Sequence, residues 1–209
     1  MWNQALEKLN AMVSDAVKKY GANSVAVYVI SFDEITPILI QSTLYEDLGK
    51  VMWYGSNKIA QNHQITKNVD SASFAMKVNL SNPLYSIDSE SKKSHDLKEV
   101  LEKQLHEVSS ITYPALAYDS YWIASLSLDK NNNTTYNYGN ENLTKSFKEI
   151  VVETAESFDG ISDKIKLNKA GDRIGGNYDF WIVAKDKDTQ NYEWEKEHNL
   201  RIESSVNES

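Results

Sequence analysis

The chain has 209 residues, with 22 Lys+Arg against 30 Asp+Glu and a formal net charge of −8 at pH 7. Hydrophobic residues make up 41%, and only eight glycines and three prolines occur, so the composition is globular and the length suffices for one or two buried cores. An acidic chain without a Lys/Arg run lacks the footprint of phosphate-backbone binding, so nucleic acid is not an expected partner.

There is no cysteine, which removes disulfides, thiolate nucleophiles, iron–sulfur clusters and thiolate zinc sites. His63, His95, His106 and His198 are scattered, with no i,i+4 pair, and no metal or cofactor is expected. The first residues, Met-Trp-Asn-Gln-Ala-Leu-Glu-Lys, do not read as a signal peptide. The longest weakly polar stretch, Tyr113 to Leu128, contains Asp119 and falls short of the roughly 20 apolar residues of a membrane span.

Residues 4–20 carry Leu6, Leu9, Met12, Val13, Ala16, Val17 and Tyr20 at helical spacing, with Gly21 placed to end the helix. Ser24–Phe32 holds a nearly continuous apolar run, which fits a strand covered on both faces. A second helix is expected from Thr36 as N-cap and Pro37 as first residue to about Tyr45. Val51–Tyr54 follows as a short strand ending in Gly55-Ser56-Asn57.

The order helix–strand–helix–strand predicts two parallel neighbours joined by a right-handed crossover. Their C-terminal ends then share one sheet edge, where ligands bind in open α/β sheets. The two loops at that edge are Phe32-Asp33-Glu34 and Gly55-Ser56-Asn57-Lys58.

Ala72–Val78 reads as a further strand, and residues 79–94 as a linker or long loop. Ser94 is expected to cap a helix to about Val108, with Leu97, Val100, Leu101, Leu105 and Val108 buried. The next helix starts near Pro114 and carries Leu116, Trp122, Ile123 and Leu126. Asp129–Glu141 reads as a loop and Leu143–Phe158 as an amphipathic helix. Two strands, Ile161–Leu167 and Arg173–Ala184, bracket a glycine-containing turn, and the chain from Asp186 reads as a charged tail.

No P-loop, GxGxxG, GxSxG or HExxH is present, and no catalytic residue is singled out. Gly175-Gly176-Asn177 reads as a bend rather than a phosphate cradle, since no helix N-terminus follows it. Asp163, Asn168 and Asp172 do not match a calcium loop, and turn chemistry accounts for the last two. Asp119 is explained by a helix first turn, where the helix dipole favours a carboxylate, rather than by a ligand role. Trp53, Tyr54, Tyr178, Phe180 and Trp181 are expected mostly in the core, with one or two lining a cleft. Asn-x-Ser/Thr acceptors occur at Asn79, Asn132, Asn133, Asn142 and Asn207, and matter only in an exported protein.

The run Phe158-Asp159-Gly160-Ile161-Ser162-Asp163-Lys164-Ile165-Lys166-Leu167-Asn168-Lys169-Ala170-Gly171-Asp172-Arg173 resembles a signature of type I periplasmic binding proteins. These are the leucine-binding-like, branched-chain amino acid receptors of ABC importers. Asp163 stands where that family usually has glycine. Ala117-Tyr118-Asp119-Ser120-Tyr121 resembles its A-Y-D-A helix, and Val51-Met52-Trp53-Tyr54-Gly55-Ser56 its strand-plus-glycine segment.

The resemblance implies parallel-sheet βαβ lobes of the periplasmic binding protein type I fold, incomplete. Residues 1–80 would be lobe two, 81–93 a crossover, 94–172 the second part of lobe one, 173–200 the return, and 201–209 a flexible tail. The first half of lobe one and an export signal would have no counterpart in this chain. Function is then that of an extracytoplasmic receptor closing two lobes around an amino acid-like solute and delivering it to a membrane permease. By position the resemblance places ligand contacts at Phe32, Asp33, Ser56 and Asn57. Asn57 is neutral where the amino acid binders place an acid, which weakens the contact with a ligand ammonium. A sensory receptor of the same fold and an α/β enzyme using Asp33, Glu34 and Asn57 are the alternatives.

Overall fold

The computed structural model describes residues 2–105, 108, 110–136 and 145–202, with only the backbone of 133–136. The chain divides into two units, residues 1–84 with 178–200 and residues 85–177 with 201–209.

In the first unit α1 (Asn3–Tyr20) buries Leu6 and Val13, with Leu9 and Val17 packed beside them, while Met12 and Tyr20 stay exposed. Gly21, at φ 82°, ends it and donates its N–H to Val17 O. β1 (Ala26–Val29) and β2 (Met52–Gly55) are parallel, in the register Ala26 to Met52 and Val29 to Gly55. Between them runs α2 (Ile35–Ser42). The expected parallel pair is present, but α2 starts earlier than its N-cap signal indicated. Glu34 is the cap and Thr36 and Pro37 lie inside the first turn, where a missing proline N–H leaves no helical bond unmade.

The apolar run of β1 is not covered on both faces. Val27 and Trp53 point into the core, whereas Tyr28 is 66% exposed and its neighbour across the sheet, Tyr54, is exposed as well. Trp53 is the largest fully buried side chain. Its indole N–H donates to Leu48 O, and its ring meets Phe74 edge-on at 5.4 Å.

Residues 72–78 form no strand. After the short α3 (His63–Lys67), α4 runs Val69–Lys77, and Asn68 caps it by accepting from the N–H groups of Asp70 and Ser71. Within the stretch expected as a loop, β3 occupies Asn82–Tyr85, with Asn82 and Leu84 buried. The charged tail also takes up structure. β6 (Gly176–Lys185) and β7 (Tyr192–Ile202) complete a sheet in the order β3-β6-β7. Tyr192 and Trp194 pack on the core of the first unit, and the side chain of Ser73 shares a hydrogen bond with Tyr192. Of the five strand aromatics only Trp53 is buried. Tyr178, Phe180 and Trp181 are half-buried, and Phe180 stacks on His198 at 4.5 Å.

The second unit carries α5 (Lys92–Gln104), α6 (Thr112–Tyr136) and α7 (Phe147–Ser157). Ser91, not Ser94, caps α5, and Ser94 sits buried at the third position with its hydroxyl donating to Asp88 O. The apolar stripe expected on α5 is open: Leu97 and Leu101 are half-buried, and Val100 and Leu105 are exposed.

α6 continues through the asparagines 131–133 to Tyr136, so residues 129–136 of the expected loop are helical, and residues 137–141 of it lie outside the described residues. Its buried stripe is Thr112, Ala115, Asp119, Ile123 and Ser127, while Tyr118, Tyr121, Trp122, Leu126 and Leu128 are exposed. Apart from Ile123, large apolar residues thus face out and small or polar ones face in. α7 begins with a capping box between Ser146 and Glu149. The hairpin signature resolves into short pieces, with β4 (Asp159–Gly160) antiparallel to β5 (Asp163–Lys164) and an isolated bridge from Leu167 to Arg173. Leu143, Asn142, Asn207 and the tail beyond Ile202 lie outside the described residues.

Candidate functional site

The carboxyl ends of β1 and β2 emerge side by side because the strands are parallel and in register up to Val29 and Gly55. Beyond them the loops are tied together by two serines. The Ser56 hydroxyl donates to Ser31 O at 3.2 Å, and the Ser31 N–H points back to Ser56 Oγ at 3.5 Å. Each loop is also fixed locally, by Ile35 N–H to Phe32 O at 3.1 Å and Ile59 N–H to Ser56 O at 3.0 Å.

Gly55 makes this packing possible. A Cβ there would lie 1.9 Å from Asn82 Oδ1, so the strand end accommodates only glycine beside the Asn82 amide. Asn82 is held in turn by its Nδ2, which donates to Leu80 O at 3.0 Å and Trp181 O at 3.2 Å.

On this frame Phe32 is 58% exposed, and Asp33 and Asn57 are exposed too. None of their side chains makes a hydrogen bond, ion pair or ring contact with the described residues. Ser56 is half-buried and belongs to the frame itself. The four residues singled out in the sequence therefore gather at one sheet edge of the first unit, with Ser56 as a tie and the other three presented to solvent.

Ser31 was not singled out. It is 3% exposed, and its hydroxyl finds no partner among the described residues, an unusual state for a buried polar group. A serine immediately after the apolar run of β1 is the sequence signal that marks it. Among the described residues no three His, Asp or Glu side chains gather to hold a metal ion. No helix among them is long and apolar enough to cross a membrane.

Asp119 has a structural task in the second unit. It is 1% exposed, and its carboxylate accepts from the N–H groups of Ile161 and Ser162, both at 2.8 Å, and from the Ser162 hydroxyl at 2.5 Å. Gly160 lies against it, where a Cβ would come within 2.5 Å of Oδ2. Gly176, at φ 143°, opens β6 and is similarly backed by the Tyr85 ring, so a close aromatic leaves no room for a side chain there.

Taken together, the chain has the mixed α/β fold of ABC-transporter substrate-binding proteins. A substrate-binding protein of Desulfitobacterium hafniense superposes with a TM-score of 0.52 at 13% identity, over 91% of this chain and 48% of that one. A solute-binding protein of Rhodopseudomonas palustris BisB5, solved with 3,4-dihydroxybenzoic acid, gives 0.57 at 9% identity, over 100% of this chain and 51% of that one. In sequence, the chain is 27% identical over 168 residues to the uncharacterized protein MJ1266 of Methanocaldococcus jannaschii, covering 78% of this chain and 39% of that protein. The chain thus spans about half the length of the structures it resembles. No protein-family model matches it.

Proposed function

We propose that the exit edge of β1 and β2 binds a small solute, as one face of a two-lobed receptor serving an ABC importer. The observation that carries this reading is the tied pair of loops at the parallel strand ends, which presents Phe32, Asp33 and Asn57 without internal partners. Phe32 supplies an apolar face. Asp33 and Asn57 supply an acceptor and a mixed donor–acceptor, a set suited to an amphipathic solute carrying a hydroxyl or amino group.

The reading places no bond making or breaking at this edge. Binding would be completed by closure of a second lobe over the loops, as in hinge-type receptors. Exposed apolar faces on both units, Tyr28 with Tyr54 and Tyr118 with Tyr121 and Trp122, support a receptor in which further polypeptide covers them. Extracytoplasmic location and delivery to a permease follow from the same reading.

The test is an amide-resolved NMR titration of the 209-residue chain with L-leucine and, separately, 3,4-dihydroxybenzoate. Saturable shifts confined to residues 30–35 and 55–59, lost in Phe32→Ala and Asn57→Ala, are the expected result. Shifts elsewhere only, or equal affinity in both variants, overturn the assignment.

A further inference from the structure

Of the chain's 22 cationic residues only two are arginines, Arg173 and Arg201, and both line the same cavity of the second unit. The cavity measures about 500 Å³, and Lys164 and the backbone of Gly175, Gly176 and Asn177 also line it. Three cations therefore face one carboxylate, Asp163, inside a protein whose overall charge is −8. A concentration of the rarest cation against the sign of the whole molecule points to an anionic ligand.

The two arginines are not equivalent. Arg173 is positioned by the fold: Nη1 donates to Ser162 Oγ at 2.8 Å, and Nη2 donates to Ser162 O at 2.6 Å and Lys164 O at 3.2 Å. Its guanidinium also lies 4.5 Å over the Tyr85 ring. Those contacts leave Nε–H and one Nη1–H unused, on a planar group whose orientation is already set. Arg201, near the end of β7, is exposed and has neither a hydrogen bond nor an ion pair with the described residues. The Gly175-Gly176 wall adds backbone without side chains, and the Tyr85 ring at Gly176 keeps it so.

We infer that this cavity binds a small oxyanion, a carboxylate or a phosphate, held between the oriented Arg173 guanidinium, which offers single N–H donors, and the exposed Arg201, which offers a parallel pair. Guanidinium groups suit this task because their parallel N–H donors match the oxygens of either anion. The site belongs to the second unit, whereas Phe32 and Asn57 belong to the first, and it stands independently of the solute edge.

The experiment titrates the 209-residue chain with inorganic phosphate in one arm and succinate in the other, at constant ionic strength, following the amides of Gly175, Gly176 and Asn177. Saturable shifts with either anion are expected, weakened at least about tenfold in Arg201→Gln and unchanged in Lys8→Gln, which removes the same charge from exposed α1. Saturation by phosphate alone assigns a phosphate ligand, and by succinate alone a carboxylate. Linear, non-saturating shifts, or equal affinity in Arg201→Gln and the unaltered chain, overturn the inference.

Discussion

Asp119 and Ser162 are joined twice: a carboxylate buried on α6 accepts both the backbone N–H and the hydroxyl of a serine 43 residues further along. With the Ile161 N–H as a third donor, the interaction pins the β4–β5 turn onto the helix. The same serine passes the constraint on, since its oxygens receive Arg173. Replacing Asp119 by alanine leaves two N–H donors and a hydroxyl without an acceptor. That is expected to cost about 3 kcal/mol, and asparagine, which keeps one acceptor oxygen, about half as much. Urea unfolding followed through the helical signal measures both. A loss below about 1 kcal/mol in Asp119→Ala would show that the turn holds by other means.

Asp163 adopts φ 71°, in the left-handed region where a side chain costs energy, and it occupies the place at which the related signature carries glycine. Its own carboxylate offsets part of that strain by accepting from the Lys164 N–H at 2.7 Å. Asp163→Gly is therefore expected to leave stability unchanged or raise it by about 0.5 kcal/mol, and Asp163→Val to lower it by about 2 kcal/mol. Midpoints of denaturant unfolding at unchanged slope give the comparison; an equal effect of the two substitutions contradicts it.

Gly55 makes the converse case, where space rather than dihedral demands glycine. An added Cβ would sit 1.9 Å from Asn82 Oδ1 and 3.0 Å from Ile59 Cδ1. The strand end or the buried Asn82 must move, and Gly55→Ala is expected to destabilise the first unit by about 3 kcal/mol. Pairing it with Asn82→Ala, which vacates the contact, recovers a good part of the loss. A strictly additive double variant would show that the two sites do not touch.

What the sequence conveyed, and where it misled, follows from particular residues. The parallel pair and the loops at its edge were legible because apolar runs, Gly21 and Gly55 punctuate the first 60 residues in a βαβ order. Ala72–Val78 reads as a strand although it belongs mostly to α4, because the helical stripe includes Ser71, a polar residue buried by donating to Ile65 O at 2.8 Å. β3 was hidden by Asn82 and Pro83, and β7 by the glutamates that alternate with Tyr192 and Trp194. In α6, whose buried stripe holds Asp119 and Ser127, polarity no longer marks the outside. Phe32, Asp33, Ser56 and Asn57 could be placed at one edge, but the Ser31–Ser56 tie could not, because spacing does not say which loop backbones approach each other.

Glu149 gives the pH dependence its sign. The Ser146 backbone N–H donates to its carboxylate at 2.7 Å and the Ser146 hydroxyl at 2.9 Å, and these bonds, the backbone one foremost, hold its pKa below the ordinary glutamate value. A carboxylate depressed in the folded state contributes stability above its unfolded pKa and loses it as pH falls through the folded value. The stability difference between the unaltered chain and Glu149→Ala should accordingly be present at neutral pH and shrink below about pH 4. Denaturation at a series of pH values tests this, and a difference constant down to pH 2 would show that the charge of the carboxylate does not carry its part of the cap.

Ser31 and Ser56 separate stability from binding. Ser56→Ala removes the hydroxyl that donates to Ser31 O and is expected to cost about 1 kcal/mol while loosening both loops. Ser31→Ala acts in the opposite direction, because its hydroxyl is buried without a partner among the described residues and a methyl group in its place removes a desolvation penalty. Stability should hold or rise by up to about 1 kcal/mol. If the β1–β2 edge binds a solute through this hydroxyl, the same substitution weakens L-leucine or 3,4-dihydroxybenzoate binding despite the firmer fold. A variant that is more stable and binds less well identifies Ser31 as a ligand contact held at a cost to the fold. A variant that is more stable and binds equally well assigns the serine to packing, and leaves Phe32, Asp33 and Asn57 as the residues the solute meets.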